Sequence, residues 1–312
     1  MLTIPSPLRK GDRVAILAPA SIVDRHYVDG AAELLKAFGY EPVIFPSALG
    51  TESSGTYAAS VETRVAEFRS AWSDPAIKCI ICARGGYGCI HLLPHLDREF
   101  ITATPKWLAG FSDVSALHAM LSQYGIPSLH APMARHLAMM GAVDPDTQAL
   151  FQWLEGAREM SFEIPTHPFS REGSATGRLL GGNLAVLNSL AGTPYDILDR
   201  AATGEDVILF IEDVSEAIYA VERMVMRLRL NGVLDSLRGL IIGQFTDYHA
   251  DRNFLTMEEM LRHRLTEWGV RADIPVAFGF PVGHVSDNRP LAESSTATLT
   301  VTAETTTLGM AL

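Results

Sequence analysis

Alternation between short apolar runs and amphipathic segments is the feature that most constrains how this chain folds. The runs are typical of strands, and segments with apolar residues three or four apart are typical of helices. Strands are predicted at 13–20, 41–46, 76–83, 107–111 and 127–133, and helices at 27–38, 58–72, 89–96 and 114–124. Strands that alternate with helices predict a parallel sheet covered by helices on both faces.

The second half of the chain predicts another α/β domain. Residues 156–176 have little helical period and several Pro, Ser, Thr and Gly residues, which favours a linker. Beyond it we predict strands at 207–212, 239–245 and 274–280, helices at 215–231 and 257–268, and paired edge strands in the alternating tail 296–312. The predicted organisation is an N-terminal domain over 1–155, a linker over 156–176 and a C-terminal domain over 177–312.

Charge and hydropathy exclude two classes of partner. The chain has 25 Lys and Arg against 36 Asp and Glu, a net charge of −11, whereas a nucleic-acid surface requires a basic stripe. No apolar run approaches the roughly 18 residues that cross a membrane. The apolar run at 14–19 is too short for a signal peptide. We therefore expect a cytoplasmic protein that binds neither nucleic acid nor membrane.

The cysteines and paired histidines give little support to a metal or redox site. Cys79 and Cys82 form a C-x-x-C within a predicted buried strand, where residues three apart point to opposite faces. With Cys89 the number of cysteines is odd, so we interpret all three as core residues. His91 and His95 are four apart, but Pro94 interrupts their segment and no acidic ligand is near. No metal or cofactor is predicted.

A lone serine, Ser112, lies at the bend between the predicted strand 107–111 and the helix 114–124. A serine in this position can act as a nucleophile held above the sheet, although G-F-S-D-V lacks the second glycine of a G-x-S-x-G elbow. A serine is also a favoured helix N-cap. The segment alone favours the cap.

Two further residues at strand ends would complete a nucleophilic site. Glu212 ends the predicted strand 207–212, and His284 follows the strand 274–280. A nucleophilic serine requires a base, and the base requires a group that orients it. The alternatives are that Glu212 interacts with the dipole of the next helix and that His284 is a surface loop residue.

The glycine-rich stretch ARGGYGC, residues 83–89, follows a predicted strand. Glycines let backbone N–H groups approach a ligand closely. The loop has three interpretations: a phosphate-binding loop, an oxyanion hole and a tight turn. The motif does not decide between them, because G-G-x-G matches neither the dinucleotide-binding nor the P-loop motif.

Several motifs in order resemble the LD-carboxypeptidase family of serine peptidases, which also includes the microcin C immunity peptidases. They are ARGGYG, GFSDVSALH, HAPM, GRLLGGNL-x-x-L-x-x-L-x-GTPY, FIEDVSEAIYAVERMVMRLRLNGVLD, GLIIGQFTD and FGFPVGH. The resemblance runs from about residue 15 to about residue 288. It implies an N-terminal α/β domain and a β-rich α/β C-terminal domain with the active site between them.

The resemblance also implies the site residues. Ser112, Glu212 and His284 match the family's catalytic triad, and the backbone amides of Gly86 and Asp113 match its oxyanion hole. It implies metal-free release of D-alanine from murein tetrapeptides during cell-wall recycling, by a homodimer. Arginine suits the substrate carboxylate, and the candidates are Arg84 and Arg135.

Two departures and two alternative functions accompany this resemblance. Ala131 replaces the glycine of the family's H-G-P-M motif, and NRPLAESS, residues 288–295, replaces an L-P-x-G pattern. The first alternative is an immunity-like peptidase that cleaves peptidyl- or aminoacyl-nucleotides. The second is a small-molecule binding protein without chemistry, against which the intact Ser, Glu and His motifs argue.

Overall fold

The computed structural model describes residues 2–51, 55–199 and 205–312. The chain forms two compact units. The N-terminal unit comprises Met1–Arg158 and Asn288–Ser294, and the C-terminal unit comprises Glu159–Asp287 and Ser295–Leu312. No helix among the described residues is long and apolar enough to cross a membrane.

The N-terminal unit contains a six-stranded sheet in the order β11-β5-β4-β3-β1-β2. All neighbouring strands are parallel except β11, which is antiparallel to β5. The strands are β1 (Arg13–Leu17), β2 (Glu41–Ile44), β3 (Ile77–Cys82), β4 (Trp107–Gly110), β5 (Ser128–His130) and β11 (Leu291–Glu293). The helices are α1 (Arg25–Ala37), α2 (Val61–Ser73), α3 (Arg98–Ala103), α4 (Ser115–Tyr124), α5 (Ala134–Met140) and α6 (Pro145–Leu154). Trp72, Trp107 and Trp153 are buried in this unit.

The C-terminal unit contains a seven-stranded mixed sheet in the order β10-β9-β8-β7-β12-β13-β6. The strands from β10 to β7 are parallel, and those from β7 to β6 are antiparallel. The strands are β6 (Glu159–Pro165), β7 (Gly173–Asn183), β8 (Val207–Val214), β9 (Gly239–Thr246), β10 (Val276–Phe278), β12 (Thr296–Val301) and β13 (Thr305–Ala311). The helices are α7 (Leu184–Ser189), α8 (Ile218–Leu230), α9 (Val233–Ser236) and α10 (Met257–Glu267). The α/β class predicted from the sequence is confirmed.

Local sequence explains where the main helices begin. The side chain of Ser60 accepts the backbone N–H of Thr63 at the start of α2, and Asp144 accepts that of Thr147 at the start of α6. Thr256 and Glu259 form a reciprocal capping box at the start of α10. Each of these side chains satisfies an N–H group that has no partner within the helix.

The predicted linker 156–176 is not a linker in the structure. It contains β6, which pairs with β13 along its length, and the beginning of β7. Met160, Phe162 and Ile164 alternate with more exposed residues along β6, as expected for a strand with one covered face.

The predicted C-terminal domain, 177–312, also differs from the structure, because Asn288–Ser294 belongs to the N-terminal unit. β11 extends the sheet there by pairing with β5. The Arg289 guanidinium lies 2.5 Å from Asp146, and the Trp153 indole donates to the Pro290 carbonyl. The segment NRPLAESS, which departs from the family's L-P-x-G pattern, is thus held through Arg289 and Pro290 by contacts in the N-terminal unit.

Two further predicted elements take other forms. The predicted helix 89–96 is two short 3₁₀ turns, Cys89–His91 and Leu93–His95, the second with Pro94 inside it. In the tail, β12 and β13 do pair, but they lie within the sheet because β7 and β6 flank them. Cys79, Cys82 and Cys89 are free and buried, as predicted for core residues.

Candidate active site

Ser112 lies just beyond the carboxyl end of β4 and begins a 3₁₀ turn, Ser112–Val114. Its φ of 65° is in the left-handed region, which is uncommon for residues other than glycine and is often found at functional sites. The N-cap of this turn is Phe111 and that of α4 is Val114. Ser112 therefore does not occupy a cap position, and the helix-cap interpretation is wrong.

The glycine-rich loop after β3 lies directly against Ser112. A Cβ atom added to Gly85 would lie 2.9 Å from the Ser112 Cβ and 3.2 Å from the Asp113 backbone nitrogen. Such an approach is closer than a side chain allows, so glycine is required at position 85. The stretch ARGGYGC is thus placed beside the candidate nucleophile, as an oxyanion hole would require.

Ser21, which the sequence analysis missed, holds this loop. Its backbone N–H donates to the Gly85 carbonyl at 3.1 Å, and its Oγ accepts the Tyr87 N–H at 3.0 Å. Gly86 has a φ of 100°, and a Cβ added to it would lie 2.2 Å from the Ser21 Oγ. The seryl side chain therefore takes the space that any residue other than glycine would need at position 86.

The side chain of Asp113 points into the same loop. Its Oδ2 accepts the Cys89 backbone N–H at 2.7 Å, and the residue is buried. Burial raises the pKa of Asp113 above its ordinary value, while the Cys89 hydrogen bond and the charge of Arg64 oppose that shift. Asp113 thus links the turn that carries Ser112 to the end of the loop 83–89.

Glu212 and His284 meet within the C-terminal unit. Glu212 lies in β8 at a register irregularity between Ile211 and Asp213, and its side chain is fully buried. Its Oε2 lies 2.8 Å from His284 Nδ1. Because an ionised carboxylate only accepts, Nδ1 is the donor in this contact, and Nε2 is the ring nitrogen that Glu212 does not contact through this hydrogen bond.

This pairing decides between the interpretations of both residues. Glu212 lies inside a strand, and the N-cap of α8 is Ala217, so Glu212 does not occupy a cap position of that helix. His284 is bound to a buried carboxylate and is not an ordinary surface histidine. A Cβ added to Gly283 would lie 2.7 Å from Glu212 Oε2, so the glycine of the G-H dipeptide lets the two side chains meet.

A buried polar group next to Glu212 was also missed from the sequence. Asp213 accepts hydrogen bonds from the Asn183 side chain and from the backbone of Val214 and Ala185. Burial raises the pKa of Asp213 to about 6, the charge of Glu212 adds to the shift, and the hydrogen bonds oppose it. Asn183, Glu212 and Asp213 thus belong to one buried cluster. Asn183 ends the G-G-N sequence, and Glu212 and Asp213 are the E-D dipeptide.

The two candidate arginines have modest contacts in the N-terminal unit. Arg84 donates to the Ile22 carbonyl at 2.8 Å, and the Arg135 guanidinium lies 5.6 Å from the centre of the Tyr27 ring. Both are exposed and neither forms an ion pair in the described part of the chain. Ala131 is buried, and its N–H donates to the Gly110 carbonyl near the end of β4.

The structure therefore defines two clusters in different units. Ser112, the loop 83–89 and Asp113 lie together in the N-terminal unit, and Glu212 and His284 lie together in the C-terminal unit. Among the residues that the structure describes, no three His, Cys, Asp or Glu side chains are grouped as a metal site would require.

Comparison with known proteins assigns the chain to a family. Residues 14–131 match the LD-carboxypeptidase N-terminal domain, and residues 176–299 match the LD-carboxypeptidase C-terminal domain. The chain belongs to the LD-carboxypeptidase family, which confirms the family and the carboxypeptidase class predicted from the sequence.

Individual relatives cover nearly the whole chain. A probable murein peptide carboxypeptidase of Bacillus subtilis is 31% identical, over 90% of this chain and 86% of its own. The crystal structure of muramoyltetrapeptide carboxypeptidase from Oxalobacter formigenes is 27% identical, with a TM-score of 0.83 over 96% of this chain and 99% of that one. The microcin C7 self-immunity protein MccF of Escherichia coli is 27% identical, over 90% of this chain and 88% of its own.

Proposed function

We propose that the protein is a metal-independent serine LD-carboxypeptidase that removes the terminal D-alanine from murein tetrapeptides. The observation that carries this proposal is the contact between the buried Glu212 and His284 in a chain whose motif serine, Ser112, has a strained turn conformation. Relatives named for murein peptides support the substrate class. We further propose that it acts in the cytoplasm as a homodimer, in cell-wall recycling.

The proposed reaction follows from the tautomer of His284. Glu212 holds the proton on Nδ1, and Nε2 takes the proton of the Ser112 hydroxyl as Oγ attacks the carbonyl carbon. The same proton then passes to the leaving D-alanine nitrogen, and water hydrolyses the acyl-enzyme with His284 again as the base. Glu212 stabilises the imidazolium that forms in each step.

We propose the backbone N–H groups of Gly86 and Asp113 as the donors to the oxyanion. Their support is the close approach of the glycine loop to Ser112 and Asp113. Loss of one such donor typically costs about 2.7–4 kcal/mol of transition-state stabilisation. Arg84 and Arg135 remain the candidates for the substrate carboxylate, because arginine binds a carboxylate through two parallel hydrogen bonds.

The similarity to the microcin C7 self-immunity protein supports a second candidate function, cleavage of aminoacyl- or peptidyl-nucleotides. The same triad serves either substrate, so the substrates must be compared directly. We would measure kcat/KM by mass spectrometry for a murein tetrapeptide and for a stable aminoacyl-nucleotide. Preference for the tetrapeptide supports the proposal, and preference for the nucleotide would replace it with the second function.

A further inference from the structure

Arg64, on α2, is an arginine that the proposed reaction does not use and that solvent does not reach. It is 1% exposed. Its Nη1 donates to the carbonyl oxygens of Pro19 and Gly88 at 2.6 and 2.9 Å, and its Nε donates to the carbonyl of Ala59 at 3.1 Å. Burial of a charge destabilises a fold unless hydrogen bonds replace its lost hydration. The three hydrogen bonds of the Arg64 guanidinium provide that replacement.

The Gly88 backbone is adapted to the guanidinium. Its φ is 136°, and a Cβ added there would lie 2.7 Å from Arg64 Nη1 and 3.3 Å from Cζ. Two independent constraints, the backbone conformation and the close approach of Arg64, therefore require glycine at position 88.

Arg64 and Asp113 hold one peptide group from its two ends. The Gly88 carbonyl that accepts from Arg64 and the Cys89 N–H that donates to Asp113 belong to the same peptide bond. Arg64 and Asp113 form no direct ion pair among the described residues, so this peptide is the bonded link between the two charges. A positive group at the carbonyl polarises the peptide and strengthens the hydrogen bond from its N–H to the carboxylate.

The Gly88–Cys89 peptide and Asp113 are both close to the candidate nucleophile, Ser112, along the chain or in space. Asp113 follows Ser112 in the strained turn, and the loop that ends at Gly88 includes Gly85, whose backbone approaches Ser112. Movement of the Gly88–Cys89 peptide would therefore displace both the serine and the proposed oxyanion donors. Displacement of about 1 Å is enough to lower an enzymatic rate about 100-fold.

We propose that Arg64 is a positioning residue for the reaction, which it serves by fixing the Gly88–Cys89 peptide and, through it, Asp113 and Ser112. This inference rests on the proposed function, because it takes Ser112 as the nucleophile. Arg64 would touch neither the substrate nor the reacting atoms. Its effect would be on the alignment of the nucleophile with the oxyanion donors, and so on kcat rather than on substrate binding.

The test compares Arg64→Met with Arg69→Met, the same substitution on the same helix at an arginine whose side chain is 40% exposed. Near-ultraviolet circular dichroism of the buried tryptophans verifies the fold. For Arg64→Met we expect kcat for the tetrapeptide to fall about 100-fold with KM within about threefold of wild type. Arg69→Met is expected to match wild type. A folded Arg64→Met with wild-type kcat, or with a change confined to KM, would overturn the inference.

A conservative variant covers the case in which Arg64→Met does not fold. Arg64→Lys keeps the charge but replaces the planar fork with a single ammonium, which cannot reproduce the three hydrogen bonds from two nitrogens. We expect it to fold and to lose about tenfold in kcat. Wild-type kcat in folded Arg64→Lys would contradict the inference if Arg64→Met were unfolded.

A second readout separates this inference from the substrate assignment. A fluorophosphonate modifies an activated serine by forming an Oγ–P bond with loss of fluoride, whatever the natural substrate. We expect Arg64→Met to slow this labelling of Ser112 about as much as it lowers kcat. If wild type is labelled but cleaves no tetrapeptide, the substrate proposal fails and the labelling rates still decide the role of Arg64. If wild-type Ser112 is not labelled, the nucleophile and the role of Arg64 both fail.

Discussion

Individual residues in the two clusters are defined by close contacts that leave little freedom of substitution. Position 283 requires a glycine because Glu212 occupies the space of a side chain, and position 86 requires one because Ser21 does. The position of His284 beyond a strand could be predicted from the apolar run before it. Glu212 was predicted to end its strand, but β8 continues to Val214, so Glu212 lies inside it. Ser21, Arg64 and Asn183 could not, because their roles depend on contacts between residues distant in sequence.

Glu212→Gln tests the proposed orientation of the base. A glutamine can turn its NH₂ group towards His284 Nδ1, which then becomes an acceptor and leaves the proton on Nε2. We expect kcat to fall about 10³- to 10⁴-fold while the fold persists. Glu163→Gln, on the exposed side of β6, is the matched control for steady-state kinetics. Wild-type activity in Glu212→Gln would show that Glu212 does not orient the base.

Gly283→Ala tests the contact between the same two side chains. The new Cβ would lie 2.7 Å from Glu212 Oε2 at a φ of 122°, so the Glu212–His284 hydrogen bond should lengthen. We expect kcat to fall about 100-fold. Gly269→Ala is the control, because Gly269 also has a positive φ but open space around it. Equal kinetics for the two variants would count against the contact.

At the scale of elements, His118 on α4 forms hydrogen bonds to β4 and β5. The bond to β4 is two residues before Ser112 in the sequence. This histidine is buried in α4, with Nε2 2.8 Å from the Gly110 carbonyl and Nδ1 2.8 Å from the Ser128 hydroxyl. The carbonyl only accepts, so Nε2 donates, and Nδ1 accepts from the serine. A neutral imidazole thus fixes the carboxyl end of β4, from which the serine turn departs.

His118 should make stability depend on pH in a predictable direction. Burial lowers its pKa from 6.5 to about 3. The unfolded chain therefore binds the proton more tightly, so the stability present above pH 6.5 is lost as the pH falls towards 3. In urea unfolding, the stability advantage of wild type over His118→Gln should shrink by about 2 kcal/mol between pH 7 and pH 5. A constant difference would contradict this, and the exposed His263→Gln serves as the control.

Elements were predicted well where their periodicity was strong. The parallel strands and long helices of the N-terminal half follow from their apolar patterns. β6 was missed because prolines and small polar residues flank its alternation of apolar and polar residues. The predicted helix 89–96 failed because Gly88 has a φ of 136° at its start and Pro94 interrupts it.

At the scale of the whole molecule, neither of the two units is one continuous stretch of the sequence. β11 returns to pair with β5 after the chain has passed through most of the C-terminal unit. Local periodicity carries no information about a pairing between 128–130 and 291–293. Residues 288–294 were therefore predicted to be part of the C-terminal domain, whereas they belong to the N-terminal unit. The family resemblance gave the class correctly because it depends on the order of motifs across the whole chain.

Arg289→Met tests how firmly this returning segment is held. Arg289 is the ion-pair partner of the buried Asp146, from which it is 143 positions away. Removing it leaves a buried carboxylate unpaired, and we expect the free energy of unfolding to fall by about 3 kcal/mol in urea titrations. The exposed Arg238, paired with Asp206, is the control, and Arg238→Met should cost less than about 1 kcal/mol. An equal loss of unfolding free energy in the two variants would show that the Arg289–Asp146 pair stabilises the fold no more than an exposed ion pair does.

The most direct test of the central claim is mass spectrometry of a murein tetrapeptide incubated with wild type and with Ser112→Ala, each with and without EDTA. The account predicts that wild type removes one alanine at the same rate with or without EDTA, and that Ser112→Ala removes none. Equal cleavage by Ser112→Ala, or loss of wild-type activity in EDTA, would contradict the serine mechanism. An intact tetrapeptide after incubation with wild type would contradict the murein substrate.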